Sequence, residues 1–215
     1  GNDQAERDEY QEEGEHDDRG GIGEHNPIQN QQKSEQKQGK AGEEPVRKLE
    51  LLMKKAGVDP SQRAVVAPAL AKAQATGLPA AAMELPDGRI VTGRTSELLG
   101  PSAAALLNAV KKLAGMADEV HLISPTVIEP IQSLKCDYLG NHNPRLHTDE
   151  ILVALSICAA TDPNAKKAMD CLAQLKNCQA HSTVILAPVD DSVWRKLGVH
   201  VTCEPRYQSK KLFHY

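Results

Sequence analysis

The sequence predicts an α/β domain, in which a layered sheet of one hairpin and later parallel strands is flanked by helices. Two observations lead to this fold class. Strand-like residues at 81–85 and 89–93 flank a Pro-Asp-Gly turn at 86–88, which is the pattern of a β-hairpin. After the hairpin, strand-like and helical patterns alternate along the chain, which favours parallel strands joined by helical crossovers.

Proline, capping residues and glycine mark the ends of the helices on both sides of the hairpin. Pro45 begins the first helix and Gly57 ends it, whereas Asp59 and Pro60 begin the second, in which Pro68 is expected to cause a kink. The expected helices cover 45–56, 60–75, 101–114, 126–138, 149–160, 163–175 and 191–197. Three further strands are expected over 119–123, 182–187 and 199–203.

The first 44 residues differ in composition from the rest of the chain. They contain 13 acidic and 5 basic residues, a net charge of −8, whereas 45–215 carry 16 acidic and 20 basic residues. With almost no large apolar side chains, the first segment cannot bury enough surface to offset the entropy of ordering. We therefore expect a disordered acidic tail at 1–44, followed by one α/β domain at 45–215.

Composition also limits where the protein works and what it binds. Five cysteines are an odd number without paired spacing, and no export signal precedes them, so reduced thiols in the cytoplasm are expected. No apolar stretch is long enough to cross a membrane, so no membrane association is expected. A mildly basic domain with only 3% aromatic residues gives little basis for nucleic-acid binding.

The densest group of polar side chains lies at 139–150, immediately before an apolar helix. Thr148 is expected to cap that helix, with Asp149 and Glu150 in its first turn, where the helix dipole favours negative charge. Asn143 is held extended by Pro144, which makes the loop rigid. The candidate ligand-binding residues are Asn141, His142, Asn143, Arg145, His147, Thr148, Asp149 and His181.

Connectivity predicts the sheet edge at which this loop lies. Helix 126–138 should start at the carboxyl end of strand 119–123, so the loop 139–148 would lie at the opposite edge, near His181. Ligands in α/β folds usually bind at the carboxyl ends of the strands. The polar candidates there are Ser124, Thr126, Asp190 and Asp191, the two aspartates being more typical of a helix cap.

Three interpretations of the loop remain open. An anion such as phosphate would use Arg145, His142 and His147 near free backbone N–H groups. A metal-dependent hydrolase or transferase would use His142, His147 and Asp149 as ligands, although this spacing is not a known ligand spacing. In the third interpretation the domain is structural or forms oligomers, and the polar groups of the loop satisfy one another.

The turn-strand-loop-helix text from Pro86 to Gly93 and beyond resembles the cytidine deaminase fold. That family places zinc ligands at the starts of two helices. Here those starts are Pro101-Ser102 and Pro125-Thr126, and neither supplies a thiolate or imidazole. The resemblance therefore implies a cytidine deaminase-like topology that lacks the zinc ligands, and no metal or other cofactor follows from it.

From Pro45 to Tyr215 the chain resembles the bacterial uncharacterised family catalogued as domain of unknown function eighteen-forty-six. The resemblance is carried by the run 139–150 and by three shorter segments, Ala180-His181-Ser182, Val201-Thr202-Cys203-Glu204-Pro205 and Lys210-Lys211-Leu212-Phe213-His214. It implies the C-terminal domain of a longer protein of unknown activity. The expected partners are the missing N-terminal region, a small anionic ligand at 139–149 and other copies of the chain.

Overall fold

Four strands form one mixed sheet in the computed structural model, which describes residues 43–57 and 59–208. The strands are β1 (Ala80–Glu84), β2 (Ile90–Arg94), β3 (Gln179–Ser182) and β4 (His200–Cys203). The α-helices are α1 (Glu43–Ala56), α2 (Val66–Thr76), α3 (Pro101–Leu113), α4 (Pro125–Ser133), α5 (Thr148–Ala159), α6 (Pro163–Asp170) and α7 (Pro188–Lys196). The α/β fold class is thus confirmed.

The order of the strands in the sheet is β2-β1-β3-β4. Strand β1 is antiparallel to both of its neighbours, β2 and β3, and β3 is parallel to β4. It follows that β2, β3 and β4 all run in one direction, and that their carboxyl ends meet at one edge of the sheet. The predicted hairpin and the parallel pair of later strands are both present.

The two faces of the sheet alternate along each strand, as the pleat requires. Ala81, Met83, Ala180 and Val201 face the main core, which helices α3 and α5 complete with Leu106, Val110, Ile151 and Leu155. The opposite face carries a small cluster formed by Ala82 with Val65 and Ala69 at the start of α2. The side chain of Trp194 on α7 is fully buried in the main core.

The prediction of a strand at 119–123 is wrong. The backbone turns there, with the Val120 N–H donating to the Ala117 carbonyl. Leu122 and Ile123 are adjacent in sequence and both are buried in the main core, whereas a half-buried strand would bury alternate residues. The segment pairs with none of the four strands of the sheet and packs on the core.

The other differences concern the ends of elements. The strand predicted at 182–187 is displaced to Gln179–Ser182, and two expected helices are divided by 3₁₀ turns at Pro60–Gln62 and Leu172–Leu175. Pro68 lies in the first turn of α2, where the helix has no internal partner for a backbone N–H, so it causes no kink. The predicted tail 1–44 lies outside the described residues, apart from Glu43 and Glu44, which belong to α1.

Helix α3 crosses the hairpin at Gly93, and this contact leaves no room for a side chain. A Cβ atom at Gly93 would lie 2.1 Å from the backbone nitrogen of Ala105 and 2.5 Å from the carbonyl carbon of Ala104. Because both neighbours are backbone atoms of a helix, neither can move without displacing α3. The glycine therefore sets the distance between β2 and the helix that packs on it.

We expect Gly93→Ala to lower the free energy of unfolding by about 3 kcal/mol or more, because α3 must shift away from the sheet. Urea unfolding followed by circular dichroism measures the loss. Gly100→Ala is the matched control, since the nearest atom to a Cβ there is 3.9 Å away, and it should cost less than about 1 kcal/mol. Equal losses in the two variants would contradict the assigned packing.

Candidate functional site

The polar loop lies at the carboxyl ends of β2, β3 and β4. The segment 95–100 leaves β2 at this edge, and 183–187 leaves β3 there and leads into α7. Segment 95–100 contacts residues 145 and 146, and the amino end of α7 contacts residues 147 and 148. The prediction that the loop lies at the opposite edge is therefore wrong, because it depended on the strand at 119–123. The observed edge is the one at which α/β folds usually bind ligands.

The end of the loop is fixed to the segment that follows β2. The Leu146 N–H donates to the Leu98 carbonyl at 2.9 Å, and the Gly100 N–H donates to the Leu146 carbonyl at 3.3 Å. Arg145 Nε donates to the Ser96 carbonyl at 2.6 Å, and the Leu146 side chain is fully buried. These contacts hold Arg145 and Leu146 against the segment 96–100, which leads from β2 into α3.

A buried carboxylate joins the start of α5 to the start of α7. Asp190 lies in the first turn of α7 and is 7% exposed. Its Oδ1 atom accepts a hydrogen bond from the Thr148 backbone N–H at 2.8 Å and one from the Thr148 hydroxyl at 2.9 Å. Its Oδ2 atom lies 3.1 Å from His147 Nδ1. The buried Thr148 therefore has a structural role, and the capping residue of α5 is His147, not Thr148.

The contact with Asp190 changes the pKa of His147. The hydrogen bond to Asp190 raises the pKa of His147 above its usual value of 6.5, burial opposes that rise, and the negative charge of Asp190 adds to it. The side chain is 30% exposed, and the contact with Asp190 occupies only Nδ1, so Nε2 is the nitrogen available to a ligand. A histidine held in this way can bind an anion as imidazolium or transfer a proton.

A second ion pair supports the same helix start from the other side. Lys135 is buried, and its Nζ atom donates to Glu150 Oε2 at 2.8 Å and to the Arg145 carbonyl at 2.6 Å. Glu150 Oε2 also accepts the His147 backbone N–H at 2.7 Å. Lys135 belongs to a single π-helical turn, Leu134–Tyr138, that continues α4. One carboxylate thus caps α5 and neutralises a buried ammonium group.

The tip of the loop is open to solvent. Asn141, His142 and Asp149 are exposed, and Asn143 is half-buried with its Oδ1 accepting the Arg145 backbone N–H at 3.2 Å. Gly140 has a φ of +71°, a conformation that glycine adopts without strain, and it reverses the chain after the π-helical turn. The structure therefore brings together Arg145, His147 and Thr148, and leaves the tip residues without a fixed place in the cluster.

Across residues 43–57 and 59–208, no three side chains of the His, Cys, Asp and Glu types are arranged to hold a metal ion. In particular, His142 and Asp149 are exposed while His147 is turned towards Asp190. The three ligands of the metal-dependent alternative are consequently not assembled within this part of the chain.

His181 is not part of this cluster, although the sequence placed it there. It points to the sheet face covered by α2, where its Nδ1 atom lies 2.8 Å from the Thr202 hydroxyl. Its Nε2 atom lies 3.3 Å from Glu204 Oε1, without hydrogen-bond geometry. Burial lowers the pKa of His181, and the charge of Glu204 opposes that shift. Arg63 contacts the Thr202 hydroxyl from the α2 side, so these groups form a separate buried cluster.

Sequence reasoning missed two members of the cluster and misjudged a third. Lys135 was assigned to an ordinary helix and Glu150 to helix capping alone, while Asp190 was considered typical of a cap. Asp190 is separated from His147 by 43 positions, and no local pattern links them. A signal was nevertheless present, because Asp190 and Asp191 had been assigned to the carboxyl edge, where the loop in fact lies.

This fold and this cluster define an α/β domain with a polar loop prearranged at the carboxyl ends of its strands. The chain belongs to the family described as domain of unknown function DUF1846, C-terminal, which matches residues 61–213. The family predicted from the run 139–150 is thus confirmed. The cytidine deaminase-like topology remains a prediction.

The chain is similar to proteins named UPF0371 from Streptococcus pneumoniae. It is 55% identical to the protein of serotype 19F (strain G54) and to that of serotype 2 (strain D39 / NCTC 7466), in each case over 174 residues. It is 54% identical to the protein of serotype 4 (strain ATCC BAA-334 / TIGR4) over the same length. Each match covers 81% of this chain and 35% of the relative, so the chain spans about a third of those proteins.

Those names state no activity, and the chain matches the C-terminal domain of a family of unknown function. Within the described residues, no helix has both the length and the apolar character needed to cross a membrane.

We expect the His147–Asp190 contact to stabilise the protein only at lower pH. Because the pKa of His147 is raised on folding, its contribution is complete below about pH 6.5 and is lost as the pH rises through the folded-state pKa. The difference in unfolding free energy between the wild type and His147→Gln should therefore shrink between about pH 6 and about pH 9.

Urea unfolding across this pH range measures that difference, and His121→Gln at an exposed position is the control, whose difference should stay constant. Nuclear magnetic resonance titration of Asp190→Asn gives a second measurement. The amide keeps an acceptor for Thr148 but removes the charge, so the pKa of His147 should fall. An unchanged pKa would contradict the role assigned to Asp190.

We expect Glu150→Ala to lower the free energy of unfolding by about 2 kcal/mol or more, because it leaves the Lys135 ammonium group buried without its counter-ion. Asp149→Ala is a close control, since the neighbouring carboxylate lies in the same helix turn but is exposed, and it should cost no more than about 1 kcal/mol. Urea unfolding at neutral pH compares them. Similar losses would show that only the helix dipole matters.

Proposed function

We propose that the domain contributes the 139–149 loop to a binding site for a polar ligand with an anionic group, in a cytoplasmic protein of unknown activity. The observation that carries the proposal is the contact between His147 and the buried Asp190, which raises the pKa of His147. A fixed, more basic imidazole at a solvent-facing edge is suited to phosphate or carboxylate recognition.

The charges around the site support an anionic rather than a cationic ligand. The carboxylate of Glu150 is already paired with Lys135 and with the His147 N–H, and that of Asp190 accepts both Thr148 donors. Of the acidic groups in the loop and first turn of α5, Asp149 is the one at an exposed position. Arg145 and His147 supply the positive charge, and His142 at the exposed tip adds a third donor.

The purely structural interpretation requires the loop to satisfy its own polar groups, with both histidines buried and paired. The base of the loop fits that requirement, since His147 meets Asp190, but the tip does not, since His142 is exposed. This division between a fixed base and an open tip favours a ligand site over a loop with a structural role alone.

We also propose that the topology is cytidine deaminase-like without zinc chemistry. The hairpin, the helix α3 packed on it and the parallel pair β3 and β4 support this assignment. At the two helix starts where that fold holds zinc, Ser102 is buried and Ser124 caps α4 by accepting the Thr126 N–H. Next to the first of these helix starts, the Leu146 carbonyl accepts the Gly100 N–H.

The remainder of the longer family proteins is the partner that we propose to complete the site, because the chain covers only 35% of its relatives. Binding sites for small ligands often lie between domains, where a second surface excludes water. Self-association of the chain is the alternative partner. In both cases the fixed base of the loop stays within this domain and the partner covers the tip.

A thermal-shift titration of the full-length protein with inorganic phosphate and pyrophosphate tests the proposal. We expect a saturable rise in melting temperature that is lost in Arg145→Ala, because the guanidinium group supplies the fixed positive charge. Arg89→Ala is the matched control, since Arg89 pairs with Asp87 on the exposed hairpin turn. An unchanged shift in Arg145→Ala, or no shift in the wild type, would overturn anion binding.

A further inference from the structure

An apolar surface adjoins the proposed site. Seven large apolar side chains in the described residues are more than half exposed, and five of them lie on the π-helical turn after α4 and on α5. They are Leu134, Tyr138, Leu139, Val153 and Ile157, at 51%, 80%, 66%, 59% and 55% exposure. We name these five residues the apolar surface.

The Lys135–Glu150 ion pair joins the two halves of the apolar surface. Lys135 lies between Leu134 and Tyr138 in the π-helical turn, and Glu150 shares one face of α5 with Val153 and Ile157 by helical spacing. The ion pair therefore connects the two segments of the chain that carry these side chains. Leu139 then leads directly into Gly140 and the exposed tip of the loop.

We propose that the apolar surface is the docking face for the part of the full-length protein that lies outside this domain. At the observed exposures the five side chains present on the order of 500 Å², near the top of the range of about 300–600 Å² for the largest apolar patch on a monomer. A patch of this size marks an interaction surface, because leaving it in water forgoes the gain from burying it.

The area of the apolar surface indicates which partner covers it. Interfaces between domains of one chain bury about 600–1,500 Å² in total, and two faces of this size would bury about 1,000 Å². An obligate homodimer interface usually buries about 2,000 Å² or more, which is twice what this patch provides. The relatives have about two thirds of their length beyond the matched part, so the longer protein contains a second body large enough to cover the surface.

This inference extends the proposal that the rest of the protein completes the ligand site, and it places that contact beside the loop. A domain seated on Tyr138 and Leu139 would cover the tip at Asn141 and His142 while leaving the base at His147 in place. The ligand would then be enclosed between a prearranged base and a second surface.

Carbene footprinting of the full-length protein in phosphate-free buffer tests the docking face, and leucines allow a comparison within one residue type. In this domain Leu139 and Leu134 are 66% and 51% exposed, against 39% for Leu78 and 41% for Leu70. We expect the order to reverse, with Leu139 and Leu134 labelled less than the two controls. Labelling in the order of these exposures would overturn the proposal.

The occupant is tested by protein concentration and by substitution. Protection of Leu139 should be the same at low and high concentration, and protection that disappears on dilution would overturn the proposal in favour of a second copy. In full-length Val153→Asp/Ile157→Asp, labelling of Leu139 should rise to exceed that of Leu78, whereas Leu70→Asp should leave it unchanged. Continued protection in the double variant would also contradict the proposal. Phosphate is absent throughout, so the result does not depend on anion binding.

Discussion

The carboxylate of Asp190 is the contact on which the geometry of the polar loop depends. It accepts two hydrogen bonds from Thr148 and faces His147, and through them it joins the start of α7 to the start of α5. Hydrogen bonds to a charged group contribute about 1.5–3 kcal/mol each, and an unpaired buried carboxylate would cost several kcal/mol. The helix starts are therefore held together, and the orientation of His147 follows from that constraint.

The same helix start is held from the opposite side by Lys135 and Glu150. The two ion pairs leave the base of the loop with few conformations, because Arg145 and Leu146 are also bonded to the segment after β2. In the tip from Gly140 to His142, the Asn141 N–H donates to the Lys135 carbonyl, but all three residues are exposed. A rigid scaffold that presents a short exposed loop is the arrangement by which many folds position binding residues.

The sequence predicted most of the fold because its local signals are strong. The Pro-Asp-Gly turn, the glycines after helices and the apolar stripes of α3 and α5 depend only on neighbouring residues. The prediction of a strand at 119–123 was wrong because Leu122 and Ile123 are apolar residues of the core, and an apolar run does not by itself distinguish a strand from a loop that packs on the core. That one error reversed the predicted edge of the loop and associated His181 with it.

For the candidate site, residue types were predictable and partnerships were not. The run 139–150 is recognisable in the sequence by its polarity. Its contacts with Asp190 and Lys135 are not, because they depend on the topology of the sheet and on where α4 ends. The apolar surface is also only partly predictable from the sequence. Helical spacing indicates that Val153 and Ile157 share a face, yet only the packed structure shows that both side chains stay more than half exposed among the described residues. An internally satisfied base, an exposed polar tip and an exposed apolar face are the three features on which the proposed site between domains depends. In that proposal the second surface has to exclude water from the tip, and docking on the apolar surface would do so without disturbing the ion pairs that hold His147.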